Sequence, residues 1–150
     1  MLNQNMLIEA IQQRLGDLDI TRGPLHWQRD LSGGDINRAA LIGDGRTSWF
    51  LKYHESAPNG MFEAEYDALE ELATLDCICV PRPVTWGRTT SADWLLIEYL
   101  EMQAGGSDAQ LGEQLAMLHS REFPHYGWHR NNFIGTTPQD NQPGTNWAAF

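Results

Sequence analysis

The sequence predicts an α+β fold, a five-stranded antiparallel sheet with one helix inserted between its third and fourth strands. Residues 25–54 contain three strand-like runs, and Asp44-Gly45, a pair typical of hairpin turns, joins the second to the third. Residues 61–72 follow with the period of an amphipathic helix. Two further apolar runs, at 84–87 and 93–100, supply the fourth and fifth strands.

Another helix is predicted before the first strand, over residues 3–15. Apolar side chains recur there at helical spacing, namely Leu7, Ile8, Ile11 and Leu15. Asn3 or Asn5 is expected to cap the start of this helix, and Gly16 is expected to end it. We interpret the helix as a packing element.

The helix over residues 61–72 carries one acidic residue on its apolar side. At about 100° per residue, Glu65 falls between Leu69 and Leu72, whereas the other acidic residues share the opposite arc. Because burying an unpaired carboxylate is costly, Glu65 is expected to have a cationic partner. Lys52, on the preceding strand, is the candidate. The alternative is that Glu65 lies at the edge of the stripe with its carboxylate in water.

A glycine pair, Ser32-Gly33-Gly34, joins the first two strands. One interpretation is a plain hairpin turn, which glycine pairs often form. The other is a loop whose backbone amides approach phosphate groups, because no Cβ stands in the way. The turn lacks the GxxxxGK[ST] pattern, so a Walker-type loop is not expected.

The carboxy-terminal part predicts one helix followed by an irregular segment. Ser107 and Gln110 have the spacing of a capping box. The helix that follows presents one apolar stripe, formed by Leu111, Leu115 and Leu118. Residues 123–139 are rich in aromatic, histidine and amide side chains without a helical or strand period, which is typical of a functional loop. Trp147 and Phe150 suggest the start of another helix.

Composition narrows the classes of partner and the compartment. The chain has 150 residues, 41% of them hydrophobic, and a net charge of −10. Such acidity argues against nucleic acid and against an anionic membrane surface as partners. No run is long and apolar enough to span a bilayer, and the first residues lack the basic start of a signal peptide. Cys77 and Cys79 are interpreted as two buried thiols of a cytoplasmic protein.

Six blocks of the sequence together resemble a known family. They are LSGGDIN at 31–37, FLK at 50–52, MFEAE at 61–65, VPRP at 80–83, LGEQLAMLH at 111–119 and YGWHRNN at 126–132. A glycine turn, a strand-three lysine, a helix glutamate and an apolar fifth strand resemble the amino-terminal lobe of the protein-kinase-like fold. The amino-acid sequences of the blocks are similar to those of the fructosamine (ketosamine) kinases, and the resemblance covers essentially the whole chain.

The resemblance implies an ATP-dependent phosphotransferase that acts on the sugar of glycated amines, with ATP and Mg²⁺ as cofactors. Lys52 would hold the α and β phosphates with Glu65 fixing the lysine, and the Gly33-Gly34 turn would lie over the phosphates. Ile97 would lie behind the adenine ring. The adenine edge would meet backbone groups of Glu98, Tyr99, Leu100 and Glu101. The sugar of a small glycated amine or of a glycated lysine would lie near Trp128, His129, Asn131 and Asn132.

The chain departs from the family pattern at the catalytic end. The family uses an aspartate base in a His-Gly-Asp type loop and a later metal-binding aspartate, and neither occurs before Phe150. Because these groups accept the hydroxyl proton and place Mg²⁺, the 150-residue chain alone is expected to be inactive. The predicted organisation is a kinase-like amino-terminal lobe over residues 1–104 and the incomplete start of a helical carboxy-terminal lobe over 105–150.

A second hypothesis is a stand-alone nucleotide-binding or interaction module with a kinase-like lobe. The two hypotheses differ in what covers the apolar stripe on the helix over residues 108–119. If no carboxy-terminal lobe packs against it, the stripe is an exposed apolar patch, and self-association is expected. A stable monomer would favour the stand-alone module.

Overall fold

The computed structural model describes residues 2–21, 23–32, 34 and 36–149, and it confirms the predicted fold class. The helices are α1 (Gln4–Asp17), α2 (Met61–Thr74) and α3 (Asp108–His119). The main strands are β1 (His26–Leu31), β2 (Arg38–Gly43), β3 (Ser48–His54), β4 (Pro83–Arg88) and β5 (Asp93–Glu98). A short hairpin, β6 (Asn132–Ile134) and β7 (Thr137–Gln139), and a 3₁₀ turn, Trp147–Ala149, follow α3.

All neighbouring strands of the main sheet are antiparallel, in the order β1-β2-β3-β5-β4. The sheet lies between two helices, so side chains on both faces of β5 are buried. This explains why the sequence of β5 is apolar throughout. Trp94 and Leu96 pack into the cluster that contains the buried face of α1. Leu95 and Ile97 point the other way, into the cluster beneath α2. Helix α2, inserted between β3 and β4, therefore covers the face opposite α1.

Helix α1 is capped as predicted but ends beyond Gly16. The side chain of Asn3 accepts a hydrogen bond from the N–H of Met6 at 3.2 Å. Gly16 stays helical, and the reversal occurs at Asp19, whose φ of 56° is left-handed. The N–H of Ile20 then bonds the carbonyl of Leu15 at 2.9 Å, as in a Schellman motif. The expected stop at Gly16 is thus wrong, because an aspartate supplies the left-handed residue.

Two expectations are corrected, one for the end of the fifth strand and one for the burial of Cys79. Strand β5 ends at Glu98, two residues earlier than the apolar run suggested, because the chain beyond it leaves the ladder. The thiol of Cys77 is buried as expected, but Cys79 is exposed, and both cysteines are free. Cys79 lies in the irregular segment before Pro81, between α2 and β4.

The carboxy-terminal part contains more regular structure than its sequence indicated. Residues 123–139 include the β6–β7 hairpin, whose three-residue strands are too short to display a period. The predicted last helix is a single 3₁₀ turn at Trp147–Ala149, and Phe150 lies outside the described residues. No helix in the described ranges combines the length and apolarity needed to cross a bilayer. The division at residue 104 stays a prediction.

Helix α3 begins as predicted, with the hydroxyl of Ser107 accepting a hydrogen bond from the N–H of Gln110 at 3.3 Å. None of its described residues is buried. Leu111 and Leu115 are 49% and 37% exposed. The apolar stripe of α3 is therefore presented at the surface of the structure.

Candidate functional site

The predicted ion pair between β3 and α2 is present. The ammonium Nζ of Lys52 lies 2.5 Å from Oε1 of Glu65. Strand alternation directs Leu51 and Tyr53 toward α1, so Lys52 between them faces α2. The two side chains are 25% and 31% exposed, which leaves the pair open to a ligand. Lys52 is also the only lysine in the sequence.

The pair lies in a cleft between the glycine turn, the sheet and α2. The cleft has a volume of about 510 Å³ and contains both Lys52 and Glu65. Its apolar wall is formed by Ile36, Phe50, Leu69, Pro81 and Ile97. A second cavity of about 370 Å³ adjoins it, since Lys52 and Glu65 also line that cavity. The site therefore joins a cation and carboxylate to an apolar surface.

The described part of the glycine turn has room for backbone only. Gly33 lies outside the described residues. At Gly34, which lines the cleft, an added Cβ would lie 2.7 Å from the carbonyl oxygen of Asn37. The side-chain oxygen of Asn37 is buried and has no hydrogen-bond partner within the described ranges. A backbone cradle and an unpartnered polar atom thus lie on the same wall as Lys52.

These features fit a nucleotide better than they fit a metal ion. A lysine ammonium and a turn with no Cβ suit phosphate oxygens, and the apolar wall suits a purine ring. Among the residues that the structure describes, no three histidine, cysteine or carboxylate side chains form a metal-binding group. No step is therefore assigned to Mg²⁺ through residues of this chain.

The residues expected at the adenine edge divide into two groups. Ile97, 8% exposed, lines the cleft as the resemblance implied. The N–H of Glu98 donates to the carbonyl of Arg82 at 2.8 Å, so this donor is already engaged. The Tyr99 hydroxyl accepts a hydrogen bond from Arg29 at 3.2 Å. Leu100 lines a separate cavity next to Cys77, and Glu101 is exposed.

The four residues expected near the sugar do not converge on one point. Asn132 lines the second cavity, beside Lys52 and Glu65. The indole N–H of Trp128 donates instead to Glu71 on α2 at 2.5 Å. His129 is exposed, with its ring 4.5 Å from the Trp128 ring. The side-chain oxygen of Asn131 accepts a hydrogen bond from the N–H of Asn141 at 3.0 Å.

Arg130 was not singled out from the sequence, yet it binds two carboxylates. It contacts Asp67, and its Nη2 lies 3.5 Å from Oε2 of Glu63. Desolvation opposes the charge of Arg130, but hydrogen bonds to Asp67 and Glu63 outweigh it, so the pKa of the guanidinium is raised. The sequence feature that pointed toward such a contact was the acidic arc of α2, which needs a cationic partner. The sequence does not indicate which cation this is.

Comparisons with known proteins agree with this architecture. The sequence model described as "Fructosamine kinase" matches residues 7–150. A "Probable ketoamine kinase" of Synechocystis sp. is 36% identical over 126 residues, which cover 82% of this chain and 43% of that protein. The chloroplastic "Protein-ribulosamine 3-kinase" of Arabidopsis thaliana is 32% identical over 124 residues, covering 80% of this chain and 38% of that protein.

A solved structure gives the same result at the level of the fold. The crystal structure of a "Putative fructosamine-3-kinase" from Haemophilus somnus superposes with a TM-score of 0.84 at 29% identity. The match covers 93% of this chain and 48% of the other chain. The present chain thus spans less than half the length of each of these three relatives.

Proposed function

Because the chain belongs to the fructosamine kinase family, we propose that it forms the nucleotide-binding lobe of an ATP-dependent ketoamine kinase. The observation that carries the proposal is the Lys52–Glu65 pair at 2.5 Å inside a cleft with an apolar wall. Kinases of this architecture place a strand lysine on the nucleotide phosphates and hold it with a helix glutamate. The substrate in the proposal is the sugar of a glycated amine, free or on a protein lysine.

Each side chain in the cleft has a definite part in the proposal. Lys52 donates to phosphate oxygens, and Glu65 holds the ammonium from the side of α2 so that it is already oriented. Gly34 allows the backbone to approach the phosphates, and Ile97 closes the apolar wall behind the base. ATP, when bound, supplies the phosphoryl group that a sugar hydroxyl accepts.

Two features set the limits of the proposal. The N–H of Glu98 is engaged by Arg82, so the adenine edge is assigned to the backbone of Tyr99, Leu100 and Glu101. Asn132 is the only one of the four expected sugar-side residues that shares a cavity with Lys52. We place the sugar that accepts the phosphoryl group on that side of the cleft.

The lobe division at residue 104 and the cytoplasmic location stay predictions.

Proton transfer and metal placement are assigned to no residue of the chain. Phosphoryl transfer depends on positioning and charge neutralisation, which require a base and metal-binding carboxylates. We therefore expect the 150-residue chain to bind nucleotide and to show no turnover. ADP release that depends on a glycated amine and on Lys52 would contradict this expectation.

The binding step is tested with the single lysine. An adenosine acyl-phosphate probe, which acylates amines near bound phosphates, should modify Lys52, and ATP should compete with it. Lys52→Met should weaken ATP binding about tenfold or more by titration calorimetry, a loss of roughly 1.4 kcal/mol. Arg46→Met, a change of one exposed cation in the β2–β3 turn, is the matched control. Equal affinity in the wild-type and Lys52→Met chains, or no binding by either, would refute the proposal.

A further inference from the structure

One row of carboxylates on α2 is bound by the chain that follows α3. Glu63, Asp67 and Glu71 are four residues apart, so they lie on the same side of the helix. Arg130 contacts the first two, and the indole N–H of Trp128 donates to Glu71 at 2.5 Å. Two side chains from residues 128–130 thus reach three successive turns of α2.

Helix α2 has few other charges that could balance this row. Its N-cap, Gly60, offers no side-chain cap, and no basic residue occurs in its last turn. Like charges spaced by four residues repel one another on a helix. Arg130, whose side chain is 26% exposed, therefore offsets this repulsion where it contacts Glu63 and Asp67.

The same segment continues to the cavity that contains Lys52. Phe133 of β6 packs against the cluster of Met61 and Phe62, beneath α2. Gly135, with a left-handed φ of 64°, packs closely against Ile36, since an added Cβ would lie 2.5 Å from Cδ1 of Ile36. The segment that binds the acidic row of α2 thus also contacts Ile36 in the β1–β2 connection and lines the cavity that contains Lys52 and Glu65.

We infer that Arg130, assisted by Trp128, is a positioning residue that holds α2 where Glu65 meets Lys52. Glu65 lies between Glu63 and Asp67 in the sequence, so any shift of this turn away from Arg130 also moves the carboxylate of Glu65. The inference deepens the proposed function. It rests on that function in one respect, the expectation that nucleotide affinity depends on Arg130.

The first test needs no nucleotide. A carbodiimide converts a contacting lysine and carboxylate into an amide, and because Lys52 is the only lysine, the Lys52–Glu65 product is identified unambiguously by mass spectrometry. Arg130→Met should lower its yield about threefold or more. Arg88→Met is the matched control, because Arg88 forms its ion pair with Asp93, at 3.0 Å, outside the cleft.

The second test measures coupling to the proposed site. Arg130→Met should weaken ATP binding about threefold to tenfold, and it should cause no further loss when Glu65 is already Gln. Arg130→Lys should recover only part of the affinity, since one ammonium cannot reproduce the fork that meets two carboxylates. If Arg130 had a purely structural role, Arg130→Met would lower the melting temperature and leave the cross-link yield unchanged. Any loss of ATP affinity would then be the same whether residue 65 is Glu or Gln. That result would overturn the inference.

The two proposals can fail separately. If the wild-type chain binds no ATP, the proposed function fails while the cross-link still tests the position of Glu65. If Arg130→Met does not fold, Trp128→Phe removes the N–H donor to Glu71, together with part of the ring, and should lower the cross-link yield in the same direction. An unchanged yield in a folded Trp128→Phe chain would then count against the inference.

Discussion

In the proposed function, the Lys52–Glu65 pair contributes more to nucleotide binding than to the stability of the fold. Its side chains are 25% and 31% exposed, and ion pairs open to solvent are typically worth about 0.2–1 kcal/mol. A pair of this strength does not explain why a carboxylate occupies the core side of α2. In the proposed function, orientation of the lysine toward the phosphates explains it. Glu65→Gln is therefore expected to alter ligand affinity more than the melting temperature.

Gly34 provides a residue-scale test of the backbone cradle. Gly34→Ala should weaken ATP binding about fivefold or more, roughly 1 kcal/mol, because its Cβ would lie 2.7 Å from the Asn37 carbonyl. Gly16→Ala is the control, since nothing lies within 4 Å of a Cβ there and the residue is helical. That change should raise the free energy of unfolding by about 0.5–1 kcal/mol. Calorimetric titration and urea unfolding measure the two effects, and unchanged affinity in Gly34→Ala would count against a tight cradle.

At the scale of elements, the β2–β3 hairpin is secured by one carboxylate. Oδ1 of Asp44 accepts the N–H groups of Arg46 and Thr47 at 2.9 and 2.8 Å. Its Oδ2 accepts the hydroxyl of Thr21 at 2.6 Å, which ties the hairpin to the chain leaving α1. The hydrogen bond from Thr21, followed by those from Thr47 and Arg46, lowers the pKa of Asp44 from 3.8 to about 2.

This lowered pKa predicts how stability depends on pH. Because the folded state favours the ionised form, Asp44 contributes stability above about pH 3.8 that is lost as the pH falls through about 2. Asp44→Ala should therefore be less stable than the wild type at pH 7, with a difference that shrinks below pH 3.8 in urea unfolding. Glu9→Ala, on the exposed side of α1, controls for the loss of one charge. A difference that stays constant down to pH 2.5 would contradict the assignment of the lowered pKa to Asp44.

At the scale of the molecule, the sheet is covered on both faces, but α3 is not. The clusters beneath α1 and α2 contain fully buried side chains, including Leu51 and Leu96 in the first and Leu95 in the second. Leu111 and Leu115, which belong to the apolar stripe of α3, are 49% and 37% exposed. An apolar stripe of this kind promotes association unless another surface covers it.

Self-association is therefore expected of the isolated 150-residue chain. The average mass by sedimentation should rise above that of the monomer with concentration, and the double change Leu111→Gln and Leu115→Gln should restore the monomer. Met102→Gln is the control, because Met102 is 89% exposed but lies outside the helix. A monomer with a sharp, concentration-independent melt would instead favour the stand-alone module.

Local patterns in the sequence were sufficient for the elements as far as α3 and for the ion pair, but not for the β6–β7 hairpin. The apolar spacing of α1, the cap at Asn3 and the hairpin turn at Asp44-Gly45 are decided by neighbouring residues, so they were predictable. Lys52 and Glu65 were predictable for a related reason. The periods of a strand and of a helix place both on the side where the two elements meet.

Only the tertiary structure decided which residues meet over long separations. Arg130 joins Glu63 and Asp67 across more than sixty positions, and Gly135 fits against Ile36 from a hairpin whose strands are three residues long. No local period encodes such contacts, because they depend on where α2 and Ile36 lie after the sheet has formed. The sequence by itself determined the fold class and the charged pair at its centre. Tertiary packing decided the contacts of the chain after α3 with α2 and with Ile36, because these contacts require surfaces that exist only once the sheet and its helices are assembled.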